Sequence, residues 1–157
     1  MQGRIIVLGL SPGLQRTISF ERFESGKINR SHAQRVDASG KACNCARVLI
    51  ELEEHSALLL CPLGRENAAF FNTLLEKDGL QVISVEIPGS TRCCYTILDD
   101  RALLENETGS TGVPRMTELV VDEEPASTAA VEAAAESLLS RLVRELQPLN
   151  RESPAAA

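Results

Sequence analysis

Apolar runs of strand length alternate along this chain with one-faced helical stretches, and that alternation constrains the fold more than any other feature. Residues 4–10 (RIIVLGL) are almost wholly apolar and are closed by Ser11-Pro12-Gly13. Such a run reads as a strand buried on both faces, the kind found in parallel sheets. A helical pattern follows at about 42–54, a second strand at 55–60, and a second helix at 66–77 with Phe70, Phe71, Leu74 and Leu75 on one face. Gly79 is placed to stop that helix. A third strand, rich in Val and Ile, spans 81–87 and is broken by Pro88-Gly89. Strand–helix–strand–helix–strand at these lengths implies a parallel α/β layer.

Other segments do not fit that layer. Residues 16–20 and 31–36 have the mixed polar and apolar look of a smaller, half-exposed sheet, with Glu24-Ser25-Gly26-Lys27 as a turn. Residues 92–98 and 102–105 read as a hairpin around Asp99-Asp100-Arg101. Both belong to an accessory sheet. Residues 108–125 show no period and read as a loop, with Asp122-Glu123-Glu124 a solvated, dipole-favourable lead into a last helix. That helix spans 127–146 with Val131, Ala134, Leu138, Leu142 and Leu146 on one stripe, and Pro148 ends it. The tail 150–157 has little to bury.

The chain has 157 residues and a formal net charge of −6, with no basic stripe interleaved with aromatics. Nucleic-acid binding is not expected. The apolar run near the N-terminus is too short to span a membrane or to act as a secretion signal, so a cytoplasmic location and no membrane partner are expected. Five cysteines, Cys43, Cys45, Cys61, Cys93 and Cys94, make an odd count without C-x2-C spacing. Neither His32 nor His55 lies near a cysteine pair in sequence. No disulfide framework and no metal site is expected; Cys43, Cys45 and Cys61 read as small buried hydrophobes.

Chemistry concentrates in the run Asp37-Ala38-Ser39-Gly40-Lys41-Ala42-Cys43-Asn44-Cys45-Ala46-Arg47. From Ala42, small or apolar residues fall at 42, 45, 46, 49 and 52, the spacing of an amphipathic helix. The start of a helix leaves backbone N–H groups without intrahelical partners. Ser39 and Gly40 let the backbone approach a ligand, and Lys41 adds a positive charge at the mouth. The combination suits a phosphate or a polyhydroxy ligand. It is neither a P-loop nor a GxGxxG turn.

With its neighbours, this run resembles a known family. Leu10-Ser11-Pro12-Gly13-Leu14-Gln15-Arg16-Thr17, Gly26-Lys27-Ile28-Asn29-Arg30, the run at Gly40, Thr91-Arg92 and Glu105-Asn106-Glu107 follow one another in the order NPxLDRT, GxxNR, AGGKGxNVARxL, TRxN and NEPG. That is the pattern of the N-terminal half of the PfkB carbohydrate kinases, in the branch of 1-phosphofructokinases and tagatose-6-phosphate kinases. The resemblance covers about residues 4–110.

The resemblance implies an α/β fold: a partial, ribokinase-like three-layer core over 1–149, with a small β-sheet lid from strands at about 14–38 and 91–107. In these kinases the sugar sits between lid and core, and lids pack on one another in dimers. A sugar or sugar phosphate and a homodimer through the lid sheet are the implied partners. Substrate-binding residues carried over are Gln15, Gly40, Lys41, Asn44, Arg92 and Glu107. Asn44 would bond sugar hydroxyls, Lys41 would meet the sugar's phosphate, and Arg92 would offer a bidentate fork. Arg30 would be structural. Without the resemblance, Lys41 is a solvated helix-start lysine, Asn44 a capping or solvent-facing residue, and Arg92 an exposed strand-edge charge. Gln15 and Ser11 are then loop residues.

Departures accompany the matches. Gln15 stands where the family has aspartate, Ser11 where asparagine is usual, Ser39 and Ala42 where glycines are, and Thr108 in place of the proline of NEPG. The family implies ATP and Mg2+, with a GxGD motif late in the chain supplying the base and anion site. No Gly-x-Gly-Asp occurs in these 157 residues, so no catalytic residue is assigned and the ATP-binding half is expected to lie outside the chain. Two readings follow: a PfkB-type sugar-phosphate kinase without its C-terminal half, or a non-catalytic sugar-phosphate-binding or dimerising protein derived from one. A stand-alone nucleotide-binding domain is weaker, since no phosphate loop is present. A truncated core is expected to leave a sheet edge and part of an apolar face uncovered.

Overall fold

A computed structural model describes residues 5–52, 57–101, 115–121 and 127–146. They divide into two compact units, one from residues 1–12, 39–91 and 124–157, the other from 13–38 and 92–123.

The first unit is built on a three-stranded parallel sheet in the order β1-β4-β5, where β1 is Ile5–Leu8, β4 Ala57–Gly64 and β5 Gln81–Ile87. Its helices are α1 (Lys41–Leu52), α2 (Ala68–Lys77) and α3 (Thr128–Leu146). Leu58 and Leu60 of β4 pack with Val85, Ala134 and Leu138 under α3. The alternate residues Leu59, Cys61 and Leu63 point to the opposite face, as the strand period of two requires. There Cys43 and Ala46 of α1 and Phe71 and Leu75 of α2 are buried. Arg47 of α1 reaches Asp78 at the end of α2, with Nε 2.9 Å from Oδ2, tying the two helices together. The unit therefore has three layers, helices on both faces of a parallel sheet.

Helix stops and strand lengths follow local chemistry. Gly79 takes a φ of 73° and closes α2, its N–H donating to Glu76 O at 2.9 Å. β4 continues past the expected end at Leu60 through Cys61-Pro62-Leu63-Gly64, although proline has no N–H. β1 pairs with β4 only as far as Leu60, and Gly9 N–H donates to Leu60 O at 2.8 Å. Two residues on, the nitrogen of Pro62 points to that same side with no hydrogen to give, so the β1–β4 ladder ends at the Gly9–Leu60 bond while pairing with β5 runs on to Gly64.

Burial departs from the sequence reading in four places. β1 was expected to be covered on both faces, yet Ile5, Ile6 and Leu8 are exposed, because α3 packs over β4 and β5. The buried stripe of α1 runs through Cys43 and Ala46, not through 42, 45 and 49; Cys45 and Leu52 face solvent. Phe70 of α2 and Val131 of α3 are also exposed.

The second unit is a four-stranded sheet in the order β3-β2-β6-β7, with β2 Gly13–Phe20, β3 Ala33–Ser39, β6 Cys93–Asp99 and β7 Arg115–Val120. β2 and β6 are parallel, Leu14 opposite Cys93 through Phe20 opposite Asp99. β6 and β7 are antiparallel, Cys94 opposite Val120 through Asp99 opposite Arg115. This corrects the sequence reading: residues 115–120 are a strand and not a loop. β6 is paired by β2 on one edge and β7 on the other, and the expected hairpin partner at 102–105 lies outside the described residues. The connection after β2 turns at Gly26 (φ 78°) and is stitched by Asn29, whose Nδ2 donates to Glu24 O and Lys27 O and whose Oδ1 accepts from Glu24 N–H.

Residues 108–114 and 122–125 of the expected loop, Pro148 and the tail at 150–157 lie outside the described residues.

Candidate functional site

In the first unit the features assigned to ligand binding meet at the C-terminal ends of the parallel strands, where open α/β sheets receive ligands. α1 begins at Lys41, and Gly40 precedes it with a φ of 117°, a backbone conformation that favours glycine. Gly40 O accepts from Asn44 N–H at 3.0 Å, the first helical bond. Lys41 is exposed in the first turn. Asn44 is exposed too, and its Oδ1 accepts from Arg47 Nη1 at 2.9 Å, which leaves its amide nitrogen to donate elsewhere.

Sequence reasoning missed Gly9. A Cβ there would sit 2.6 Å from the Cβ of Ala42, so only glycine lets the end of β1 approach the first turn of α1. The methyl of Ala42, where the family has a glycine, lies over that glycine. The only sequence signal was one Gly at the end of an apolar run.

A second missed group fixes the exits of β4 and β5. Thr91 is buried and its Oγ1 accepts from Gly64 N–H at 2.9 Å. Asn67 closes a pair of bonds with the same residue: Thr91 N–H donates to Asn67 Oδ1 at 2.8 Å, and Asn67 Nδ2 donates to Thr91 O at 2.9 Å. A Cβ on Gly64 would lie 2.1 Å from the carbonyl carbon of Ser90. The threonine of the Thr91-Arg92 motif is thus a positioning residue.

In the second unit, Arg92 is half-buried and leads into β6. Its backbone O accepts from Leu14 N–H at 2.8 Å, and its side chain lies over Gly13, where a Cβ would meet Cγ and Nε at 3.3 Å. It is therefore not the fully exposed edge charge of the plainer reading. Gln15 sits on β2, half-buried, and its Nε2 donates to Thr96 Oγ1 at 2.8 Å, leaving Oε1 as the atom a ligand hydroxyl can meet. Ser11 and Arg30 are exposed. Glu107 lies outside the described residues.

Burial sets the thiol chemistry. It pushes the Cys61 thiol up to about 12, with Cys43 alongside adding to the rise. Cys43 is also raised by burial, which outweighs the lowering by Arg47. Both are inert apolar groups at neutral pH. Among the described residues no three His, Cys, Asp or Glu side chains gather as a metal site would. No helix of the described residues is long and apolar enough to cross a membrane.

A three-layer α/β unit with a glycine-led helix start over the strand ends, together with a separate four-stranded sheet, is the architecture of ribokinase-like sugar kinases. Phosphofructokinase-2 from Escherichia coli, in a crystal structure with substrates and products, shares the fold over 87% of this chain and 41% of that one, with a TM-score of 0.71 and 20% identity. In sequence the chain is 33% identical over 96 residues, 61% of its length and 30% of the relative's, to a 1-phosphofructokinase of Rhodobacter capsulatus. It is 29% identical over 114 residues, 73% of its length and 35% of the relative's, to a 1-phosphofructokinase of Xanthomonas campestris pv. campestris. No family model matches the chain. The chain spans about a third of the length of these curated relatives. Over part of its length it is similar to PfkB-type kinases, and its α/β fold is theirs.

Proposed function

We propose that this chain is the sugar-phosphate-binding part of a PfkB-type carbohydrate kinase, an enzyme class that transfers a phosphoryl group from ATP to a sugar hydroxyl. The observation that carries the reading is the start of α1: Gly40 in a glycine-favouring conformation, Lys41 exposed, and the turn held against the end of β1 by Gly9. Free N–H groups of a first helical turn and an adjacent lysine suit the sugar's own phosphate. Asn44 offers its amide N–H to a sugar hydroxyl. Arg92, Gln15 and Glu107 are assigned to substrate by the motif match. ATP, Mg2+ and the acceptor base are groups that this chain does not supply, so turnover by the chain alone is not expected. A cytoplasmic location and a homodimer through the sheet of the second unit belong to the same proposal.

A second reading has its own support. Gln15, in the family's aspartate position, already spends its amide on Thr96, and a neutral amide is a weaker acceptor than a carboxylate. This favours a non-catalytic protein that binds a sugar phosphate or dimerises without phosphorylating.

The test is a thermal-shift titration with fructose 1-phosphate, fructose 6-phosphate and tagatose 6-phosphate. A ligand at ~100 times its Kd adds roughly 2.7 kcal/mol of stability when it binds only the folded state. A saturable shift that Lys41→Ala and Arg92→Ala abolish supports the site. No shift with a folded protein overturns it. ADP release with any of these sugars overturns the expectation of no turnover.

A further inference from the structure

The sheet of the second unit has two unlike faces. Residues paired in register across strands project to the same side. Leu14 and Phe20 of β2 and Ile97 of β6 fall on one face and are buried. The other face is polar. Gln15 of β2 stands there opposite Cys94 of β6, and Thr96 stands between Thr17 of β2 and Glu118 of β7. Arg92 belongs to the same face, since its Nη1 donates to Cys94 Sγ at 3.9 Å. Gln15 Nε2 donates to Thr96 Oγ1 at 2.8 Å, and the Thr96 hydroxyl keeps its own hydrogen to give onward. Among the described residues of β2, β6 and β7, Arg92 is the cation of this face and Glu118 its carboxylate. Glu118 is exposed, and no described side chain bonds its carboxylate.

We propose that Glu118 is a specificity-determining residue of the sugar-phosphate site, the carboxylate that accepts from sugar hydroxyls in place of the one that Gln15 lacks. The proposal rests on the sugar-phosphate reading above and names a further group of the same site. A sugar hydroxyl is held most firmly by a charged acceptor. Position 15 no longer supplies one, and its amide nitrogen is committed to Thr96. Glu118 lies one strand beyond Thr96 on the same face, about 5 Å to the side. Gln15 Oε1, the Thr96 hydroxyl and the Glu118 carboxylate thus form a row across the three strands, two acceptors with a donor between them. Such a row suits neighbouring hydroxyls of one sugar. Arg92 lies four residues back along the sheet, roughly 13 Å on the backbone, a span that the long Arg and Glu side chains shorten from both ends. The charge order, cation for the phosphate and carboxylate for the far hydroxyls, matches a ligand anionic at one end and hydroxylated at the other. Charge on an outer strand also blunts its edge. Arg115 already brings charge to β7, in register with Asp99 on the opposite face, and that duty does not call for a carboxylate beside Thr96.

The test titrates fructose 1-phosphate, fructose 6-phosphate and tagatose 6-phosphate into the 157-residue chain by calorimetry, then the tightest of them into four variants. Glu118→Gln keeps the shape of an exposed side chain and removes its charge, and is expected to weaken binding at least tenfold, the loss of one hydrogen bond to a charged group. Thr117→Val, the next residue of β7 on the opposite face, is expected to bind as the parent does. Gln15→Asp in the Glu118→Gln background returns a carboxylate to the face, with the Thr96 hydroxyl free to donate to it, and is expected to recover binding to within threefold of the parent. Gln15→Asp alone sets two carboxylates about the same hydroxyls and is expected to gain less than it gains in that background. A Glu118→Gln protein that binds as tightly as the parent overturns the proposal and leaves the sugar-phosphate reading standing. Equal losses in Glu118→Gln and Thr117→Val overturn it too, because β7 then acts through the fold. A double variant no better than Glu118→Gln shows that Glu118 does not stand in for a carboxylate at 15 and overturns it as well. A folded parent chain that binds none of the three sugars sinks the sugar-phosphate reading, and this proposal with it.

Discussion

β4 and β7 are strands of similar length with opposite surroundings. Every one of the eight residues of β4 is buried, and every one of the six residues of β7 is exposed. β4 lies in the middle of a sheet with helices on both faces, so its sequence had to be apolar throughout, and Ala-Leu-Leu-Leu announces it. β7 lies at the outer edge of the second sheet, and Arg-Met-Thr-Glu-Leu-Val carries no period because no face of it is buried. Strand formation in β7 rests on main-chain pairing with β6, which leaves no side-chain pattern to read. The contrast teaches that a sequence records burial first and backbone pairing only where burial accompanies it.

The largest expected effect tests that contrast directly. Leu59→Ala removes a side chain with no exposed surface from the centre of β4 and is expected to cost about 2–5 kcal/mol. Leu119→Ala, on β7, is expected to stay within about 0.5 kcal/mol. Urea denaturation monitored by circular dichroism measures both. Equal losses break the contrast and mean that β7 is covered in solution, as lid-to-lid dimerisation requires.

Next in size is a pair of glycines. Gly64→Ala drives a methyl into the backbone of Ser90 and Thr91 and is expected to cost about 1–3 kcal/mol, or more if the strand exits cannot move. Gly79→Ala meets no atom within 4 Å and costs only the left-handed backbone, about 1–2 kcal/mol. The sharper difference is functional. Gly64→Ala displaces the Thr91–Asn67 lock and is expected to weaken sugar-phosphate binding, while Gly79→Ala leaves binding alone. A Gly64→Ala protein that binds as well as the parent removes Thr91 from the positioning role.

These residues mark how far the sequence was legible. β5 was found at its full extent, and the start of α1 within one residue, because an amphipathic period and a Val/Ile run are dictated by local burial. The end of β4 was missed because proline signals a stop, yet Pro62 ends only the ladder to β1, and pairing with β5 carries the strand on to Gly64. The exposure of β1 was missed for a related reason: its residues are those of a buried strand, and what decides burial is a neighbour. At the site, Gly40, Lys41 and Asn44 were visible as a motif. Gly9, Gly64, Asn67 and Thr91 act through contacts between segments distant in sequence, and single glycines or a lone Asn carry no period to betray them.

The thiols give a smaller effect on the same axis. Cys61, on β4, is pushed up to about 12 by burial, against an ordinary value near 9. Its folded value is raised, so the stability that comes from burying the neutral thiol is complete below about 9 and is lost as pH rises through about 12. Between those values the unfolded chain ionises first, and stability is expected to fall by about 1.4 kcal/mol per pH unit from this group. At pH 8, Cys45, which the structure places in solvent, is expected to react with a disulfide reagent before Cys43 and Cys61. Mass-mapped labelling of the native protein reads the order. Early labelling of Cys61 means that β4 opens locally, and the buried strand is then less buried in solution than its neighbours imply.

The smallest expected effect lies in the second unit, at the turn before β3. Lys27 contacts the Glu24 carboxylate, and its hydrogen bond and charge hold that carboxyl below its ordinary value, with Arg22 and Arg101 adding to the pull. A depressed folded value means that the contact stabilises the turn above the ordinary carboxylate range and is lost as pH falls through the folded value. The group is open to water, so salt screens it, and global stability is not expected to register the change. What should register is local. In an NMR titration the Glu24 carboxyl is expected to titrate below an ordinary glutamate, and Lys27→Gln is expected to return it toward that value. Asn29 holds the same turn through three uncharged bonds to Glu24 and Lys27, so the turn's shape is expected to survive the substitution. A turn that melts in Lys27→Gln shows the opposite, that charge and not the Asn29 stitching shapes this exposed edge. The second sheet would then depend on surface electrostatics in a way that the β4 layer does not.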